Sequence, residues 1–381
     1  MNPTAERPRI LFLGTTYAGH ATRFDNLERN TACDERIDAR YRRVTGWREG
    51  GLVERLPLLS RAVKGRMRSV IEAAPVAAVP RPDAVWTSVS EVLAPHLWAL
   101  TGPMRRPVLY DLDWTLDQQE AWARLYFRRR MKRGLRLAVA RASERAFYSR
   151  VTLFTPWSAW AADGLRAAGV DDGRILELPP GVDLDQWRPR TELREGTSER
   201  LPRLLFVGGD FRRKGGDLVV EAVQTVLRGR CELDIVTRDP AVRPGPGVRV
   251  HAAEPNSPLL RELYARADLF VMPSRAECFG IATIEAMASG LPVLVGDVGG
   301  GRSIVDHGET GWLVSPVREA VFAALEEALS DMPRLQAMGA AARRVAERRF
   351  DGRANDARIV DLLVEMARAG TAFRLRQGAL A

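Results

Sequence analysis

Short apolar runs that stop at a glycine or a turn recur along this chain, each followed by a stretch with helical spacing, and the pattern starts twice. The first series is 10–13, ending at Gly14, then 84–87, 108–110 and 151–154, with a helical stretch at 158–168. The second is 203–207, ending at Gly208-Gly209, then 233–237, 269–272 and 292–295, with helices expected at 217–227, 258–267 and 281–289. Runs of four or five apolar residues without alternation are what a strand buried on both faces requires. Strands that alternate with helices make an α/β fold with a parallel sheet. Between the two series lies Leu178-Pro179-Pro180-Gly181-Val182-Asp183 and then a polar stretch, 188–200, with little to bury, which reads as a connection. With 381 residues, 46% of them hydrophobic, each half can bury its own core. The expectation is two doubly wound Rossmann-like domains with a cleft between them, and a final helix over 354–369 with Ile359, Leu362, Leu363 and Met366 on one face.

No apolar run approaches the roughly 20 residues of a spanning helix. The N-terminal residues show no secretory pattern, and Cys33, Cys231 and Cys278 are too scattered for a disulfide scaffold. A cytoplasmic protein is expected, with no zinc spacing and so no metal site. The formal net charge is +9, and one segment holds as much excess: 124–150 carries ten Arg or Lys against a single acid, Glu144. Met131, Leu135, Ala138 and Ala142 within it keep helical spacing. Such a basic amphipathic helix is either a solvated face on a packed helix or an attachment to an anionic membrane surface. Nucleic acid is not expected, since no nucleic-acid motif accompanies the charge.

The segment 272–293, MPSRAECFGIATIEAMASGLPV, is the most informative. It reads as a strand end, a glycine loop, a helix N-terminus and the next strand. N–H groups at Gly280, Ile281 and Ala282 then lack intrahelical partners and suit a phosphate or hydroxyls. Glu277 before the loop and Glu285, about two turns into the helix, fall near one face. Carboxylates there suit sugar or ribose hydroxyls. Spacing alone is equally compatible with an ordinary βαβ unit.

This segment resembles the E-x7-E region of retaining glycosyltransferases with the GT-B fold, family 4. Val207-Gly208-Gly209-Asp210-Phe211-Arg212-Arg213-Lys214-Gly215 resembles that family's diphosphate loop. Pro180-Gly181-Val182-Asp183 is similar to its linker entry. Residues 298–305 and Gly308-Glu309-Thr310-Gly311-Trp312-Leu313-Val314 are similar to its next loop and a hairpin-like turn. The resemblance is specific over 178–316 and only architectural before it. It implies an acceptor-binding domain over 1–185, a nucleotide-sugar domain over 186–350, and a tail, 351–381, whose helix packs back on the first domain.

By the same resemblance Arg213 and Lys214, with Gly208, hold the donor diphosphate, and Glu285 binds ribose. Glu277 faces the transferred sugar, with Phe279, Gly280 and Ile281 offering amides. Thr237 and Arg238 lie near the base. Gly209 stands where many members carry Arg, and Ser303 where many carry an acid. The donor is then a UDP- or GDP-type sugar and no cofactor is required. The acceptor is a glycan, a lipid-linked sugar or a small molecule.

In the first half, Gly14-Thr15-Thr16-Tyr17-Ala18-Gly19-His20 follows a strand but lacks dinucleotide spacing. The fold implied by the resemblance puts this loop, with Gly14, Gly19 and His20, beside the donor or acceptor; a surface histidine is the competing reading. Asp111 or Asp113, in Tyr110-Asp111-Leu112-Asp113, is a candidate to orient the acceptor hydroxyl, or else caps a helix starting near Thr115. Related enzymes often place a His-Asp pair around here, and this stretch has no His. Cys278 reads as a packing residue. The function implied is a retaining, peripheral or soluble glycosyltransferase, with a non-enzymatic sugar-nucleotide-binding subunit as the alternative.

Overall fold

The computed structural model describes residues 7–16, 18–45, 48–57, 64–65, 67–68, 71–72, 81–89, 106–189 and 200–375. Most of the polar connection and the first six residues lie outside the described residues. The chain forms two compact units. One comprises Met1–Ala121, Met131–Pro179 and Arg353–Ala381, and the other Trp122–Arg130 and Pro180–Gly352.

The first unit is built on β1 (Arg9–Thr15), β2 (Asp38–Val44), β3 (Ala84–Thr87), β4 (Val108–Leu112) and β5 (Leu153–Pro156), all parallel in the order β2-β1-β3-β4-β5. Its helices are α1 (Ala18–Thr31), α2 (Leu116–Ala121), α4 (Gly134–Tyr148) and α5 (Ala159–Ala167), with α3 (Ala123–Phe127) belonging to the other unit. The apolar runs are buried along their length, as at Ile10, Leu11, Phe12 and Leu13. β2 was not expected. Its sequence, DARYRRV, is charged because among the described strands it is the edge, with β1 on one side. Helix α5 starts where Ser158 accepts a hydrogen bond from the Ala161 N–H.

The second unit carries β6 (Arg203–Val207), β7 (Glu232–Val236), β8 (Val248–His251), β9 (Leu269–Met272), β10 (Val293–Gly296) and β11 (Gly311–Val314), parallel in the order β11-β10-β9-β6-β7-β8. Counted from its own first strand this is the order of a dinucleotide-binding sheet, with its switch point between β6 and β9. The expected hairpin-like turn is instead a sixth strand, since β11 pairs parallel with β10. Its helices are α6 (Gly216–Gln224), α7 (Pro258–Arg266), α8 (Ile281–Ala288), α9 (Arg318–Ser330) and α10 (Met332–Arg349).

The last helix, α11 (Gly352–Ala369), belongs to the first unit except for its first residue. It buries Ile359, Leu362, Leu363 and Met366 against Phe12, Phe24 and Trp86 on one face of that unit's sheet. Each such fully buried side chain contributes on the order of 1.5–3 kcal/mol, so the tail is part of the core.

Segment 124–150 is not one helix. It breaks between α3 and α4, where Arg128 and Gly134 have left-handed backbones and Met131 is non-helical. The stripe of Leu135, Ala138 and Ala142 on α4 faces solvent instead of packing.

Candidate functional site

Two loops meet at the β6–β9 switch point. Residues 207–215 leave β6 and residues 273–280 leave β9, and the Arg275 N–H donates to the Arg213 carbonyl at 2.8 Å. Each loop ends in a glycine with positive φ that opens a helix: Gly215 (φ 78°) before α6 and Gly280 (φ 97°) before α8. At Gly215 a Cβ would also collide with the Pro273 carbonyl, so close approach of the two loops needs glycine twice over.

The switch point gathers Arg213, Lys214 and Glu277. Lys214 Nζ lies 2.9 Å from Glu277 Oε2, and Arg213 Nη1 lies 3.8 Å from the same oxygen. Arg213 also donates from Nε to Asp210 at 3.2 Å and from Nη1 to the Ala276 carbonyl at 2.6 Å. Burial works against its charge, but Glu277 and Asp210 more than offset that, and the guanidinium is held above its usual range. Gly208 is packed against the Lys214 side chain, where a Cβ would strike Cδ at 2.5 Å. Gly209 faces open space, so a larger residue there would meet no obstacle.

Glu277 is in the loop, not on the helix, and Glu285 is little more than one turn into α8 rather than two. Glu285 is buried and accepts a hydrogen bond from the Tyr264 hydroxyl at 3.2 Å. Burial pushes its carboxyl up to about 7, against the pull of Tyr264 and Lys214. Tyr264, from α7, was not expected at the site. Its hydroxyl also reaches the Ala282 carbonyl at 3.1 Å, tying α7 to the first turn of α8. Phe279 and Glu277 line a small cavity with Met272, Ser274, Thr283 and Val298, and the Ser274 hydroxyl there is buried with no hydrogen-bond partner among the described residues. Thr237 is buried just past β7, whereas Arg238 is exposed and paired with Glu254. Ser303 ends a 3-10 turn, and its carbonyl accepts from Arg349.

The first unit holds a separate cluster. Helix α1 starts at Ala18, so Gly19 and His20 sit in its first turn, not in a loop; Tyr17 lies outside the described residues. Gly14 is where β1 meets α1, with no room for a Cβ beside Phe24. The fold brings His20 and Asp113, 93 residues apart in sequence, together. His20 Nε2 lies 3.0 Å from Asp113 Oδ1, and the ring packs on Trp157 at 4.6 Å. Burial opposes protonation of His20, but Asp113 and then Asp111 outweigh it and raise its pKa.

Asp111 is different in kind. It is fully enclosed, accepting from Thr155 at 2.9 Å and from Arg23 Nε at 3.3 Å. Arg23 is itself fully buried and pairs with Asp356 of α11. Neither aspartate caps α2; the Thr115 and Leu116 N–H groups there are taken by Gln118 and Glu144.

Residues 201–331 match the family model described as glycosyl transferases group 1. A D-inositol 3-phosphate glycosyltransferase of Nocardia farcinica is 37% identical over 196 residues, which is 45% of this chain and 43% of that protein. The chain thus spans about half the length of the curated relatives it matches. Among solved structures, sucrose-phosphate synthase from Thermosynechococcus elongatus superposes with a TM-score of 0.74 at 20% identity, covering 93% of this chain and 98% of that one. HepE of Anabaena in complex with UDP-glucose superposes at 0.62 with 17% identity, covering 93% and 98%. The fold is GT-B, two parallel Rossmann-like sheets. Over the matched residues 201–331 the second unit is similar to the group 1 glycosyltransferases.

Proposed function

We propose that this protein is a retaining glycosyltransferase that moves a sugar from a nucleoside-diphosphate sugar to an acceptor hydroxyl. The observation that carries the reading is the convergence of Arg213, Lys214 and Glu277 at the β6–β9 switch point, beside the α8 N-terminus. The glycosidic bond from C1 to the diphosphate oxygen breaks and a bond from C1 to the acceptor oxygen forms. Negative charge grows on the leaving diphosphate, and two fixed cations there act where charge develops. The acceptor proton passes to a diphosphate oxygen, so no protein base is required. Glu285 takes the ribose hydroxyls, Thr237 and Arg238 lie toward the base, and Phe279, Gly280 and Ile281 line the sugar side. HepE was solved with UDP-glucose, which favours a UDP-type donor here.

On the acceptor side we assign contact to His20, held by Asp113. Asp111, first expected in that role, is enclosed by Arg23 and Thr155 and acts as scaffold.

The test is a thermal-shift panel of UDP, GDP, ADP and dTDP with their common sugar conjugates, on wild type and Lys214→Ala. A ligand at about 100 times its Kd stabilises by about 2.7 kcal/mol. Stabilisation by one nucleotide, lost in the variant, supports the assignment. No shift with any nucleotide sinks it and leaves the group 1 fold without a working donor site.

A membrane-bound acceptor is a second reading, favoured by one observation. Leu135 and Val139 on α4 are 80% and 60% exposed, among Lys132, Arg133, Arg136 and Arg145. Apolar side chains beside bases suit an anionic bilayer surface, at about 1 kcal/mol per basic residue. No helix among the described residues is long and apolar enough to cross a membrane. Flotation with anionic vesicles that weakens with salt supports it. Indifference to lipid charge favours a soluble acceptor.

A further inference from the structure

The segment Trp122–Arg130 lies in sequence between pieces of the first unit but folds with the second. It carries two aromatic residues one helical turn apart, Trp122 and Tyr126, stacked at 6.1 Å with rings 15° from parallel. Neither belongs to the motifs that mark the donor site, yet both rest on it. The Tyr126 ring lies under the Arg213 guanidinium, 4.0 Å from its carbon to the ring centroid, and the Tyr126 hydroxyl is 3.2 Å from Cys278 Sγ. Trp122 abuts Gly299, where a Cβ would come within 2.7 Å of the indole and would also strike the Glu277 carbonyl.

We propose that Tyr126 is a positioning residue for the donor diphosphate: its ring fixes the plane of Arg213, with Trp122 fixing the ring. The proposal rests on the donor-site reading above. A guanidinium is rigid, but its three-carbon stem is not, and an unheld arginine gives up rotamer freedom when a phosphate binds. Here Nε is tied to Asp210, Nη1 to Ala276, and one face to Tyr126. Nη2 carries no hydrogen bond among the described residues and is the edge left to present to phosphate. The ring adds a cation–π attraction in a site shielded from water. The fork is therefore aimed before the donor arrives. Cys278 gains a role as well, since its sulfur holds the phenol that holds the arginine.

The experiment is calorimetric titration of UDP and GDP into wild type, Tyr126→Phe, Tyr126→Leu, Arg213→Lys and the Tyr126→Leu/Arg213→Lys double variant, with Lys214→Ala as reference. Tyr126→Phe keeps the ring face and should bind within about twofold of wild type. Tyr126→Leu should weaken binding about 2- to 30-fold, the range expected for a cation–π contact. In the Arg213→Lys background, which has no planar face to hold, Tyr126→Leu should cost little. Should Tyr126→Leu not fold, Trp122→Leu stands in for it and should give a smaller loss with the same dependence on Arg213.

An equal loss in both backgrounds would mean a general packing role and overturn the proposal. So would a Tyr126→Phe loss as large as that of Tyr126→Leu, since the hydroxyl and not the face would then matter. Unchanged binding in Tyr126→Leu, with binding abolished in Lys214→Ala, overturns this inference alone. No binding by wild type overturns it together with the donor-site reading.

Discussion

The two sheets present their chemistry by different rules. In the second unit Arg213 and Lys214 come from one loop and Glu277 and Glu285 from another, and the parallel pairing of β6 with β9 makes those loops neighbours. In the first unit the polar residues are scattered through the chain. Thr155 and Asp111 are 44 residues apart, Arg23 and Asp111 are 88, His20 and Asp113 are 93, and Arg23 and Asp356 are 333. A site made of two short loops is written locally; a network closed by the last helix is not. The second kind ties the site to global folding, because the side chain beneath the His20 region is held by α11.

The largest expected effect tests that tie. Arg23 is fully buried between two aspartates, so Arg23→Met leaves Asp111 and Asp356 as unpaired buried charges. Breaking such a pair costs about 3–5 kcal/mol. The exposed pair Arg302–Asp297 in the second unit is the comparison. Arg302→Met should leave stability nearly unchanged, since solvent screens an exposed pair. Urea unfolding of both variants checks this. Equal small losses would mean that the buried network is not what docks α11.

In the second unit, a buried carboxylate sets the next largest effect. Glu285 ionises near 4.5 when unfolded and near 7 when folded. Between those values the folded state holds a proton that the unfolded state has released, so this group makes stability fall as pH rises through the window and level off above it. At 1.36 kcal/mol per pKa unit the loss approaches roughly 3 kcal/mol. Glu285→Gln keeps an acceptor for Tyr264 and removes the charge. Its melting temperature should match wild type near pH 4.5 and exceed it at pH 8, with weaker nucleotide binding there. A constant offset at every pH would assign Glu285 an ordinary value.

The same contrast governs what could be read beforehand. The 272–293 segment was legible because strand, glycine turn and helix follow each other without a break, and because Gly215 and Gly280 stand where the backbone must turn left-handed. β2 was missed because Arg40, Arg42 and Arg43 mark an edge, and edge strands lack the buried apolar run. The stripe on α4 was visible as a period, but a period does not say whether its apolar face meets a core or solvent. Asp111 and Asp113 look alike in sequence, and only burial separates scaffold from candidate contact. Tyr126 carried a faint signal, a Trp and a Tyr four residues apart ahead of three arginines. Nothing local pointed to Arg213.

The smallest predicted effect separates the two units most cleanly. If His20 contacts the acceptor while Arg213 and Lys214 hold the donor, His20→Gln should lower kcat about tenfold, below the roughly 100- to 10,000-fold of a general acid–base group and in keeping with a residue that orients the acceptor. Nucleotide binding by the second unit should be unchanged. Because Asp113 raises the His20 pKa, Asp113→Asn should move any histidine limb of the rate–pH profile to lower pH. The slope in stability has the same sign as that of Glu285, in a window that starts higher: a raised histidine contributes fully below its unfolded value of 6.5 and fades as pH climbs through the folded one. A His20→Gln variant that loses nucleotide affinity along with rate would show that the two clusters serve one ligand. The division between a donor unit and an acceptor unit would then have to be redrawn.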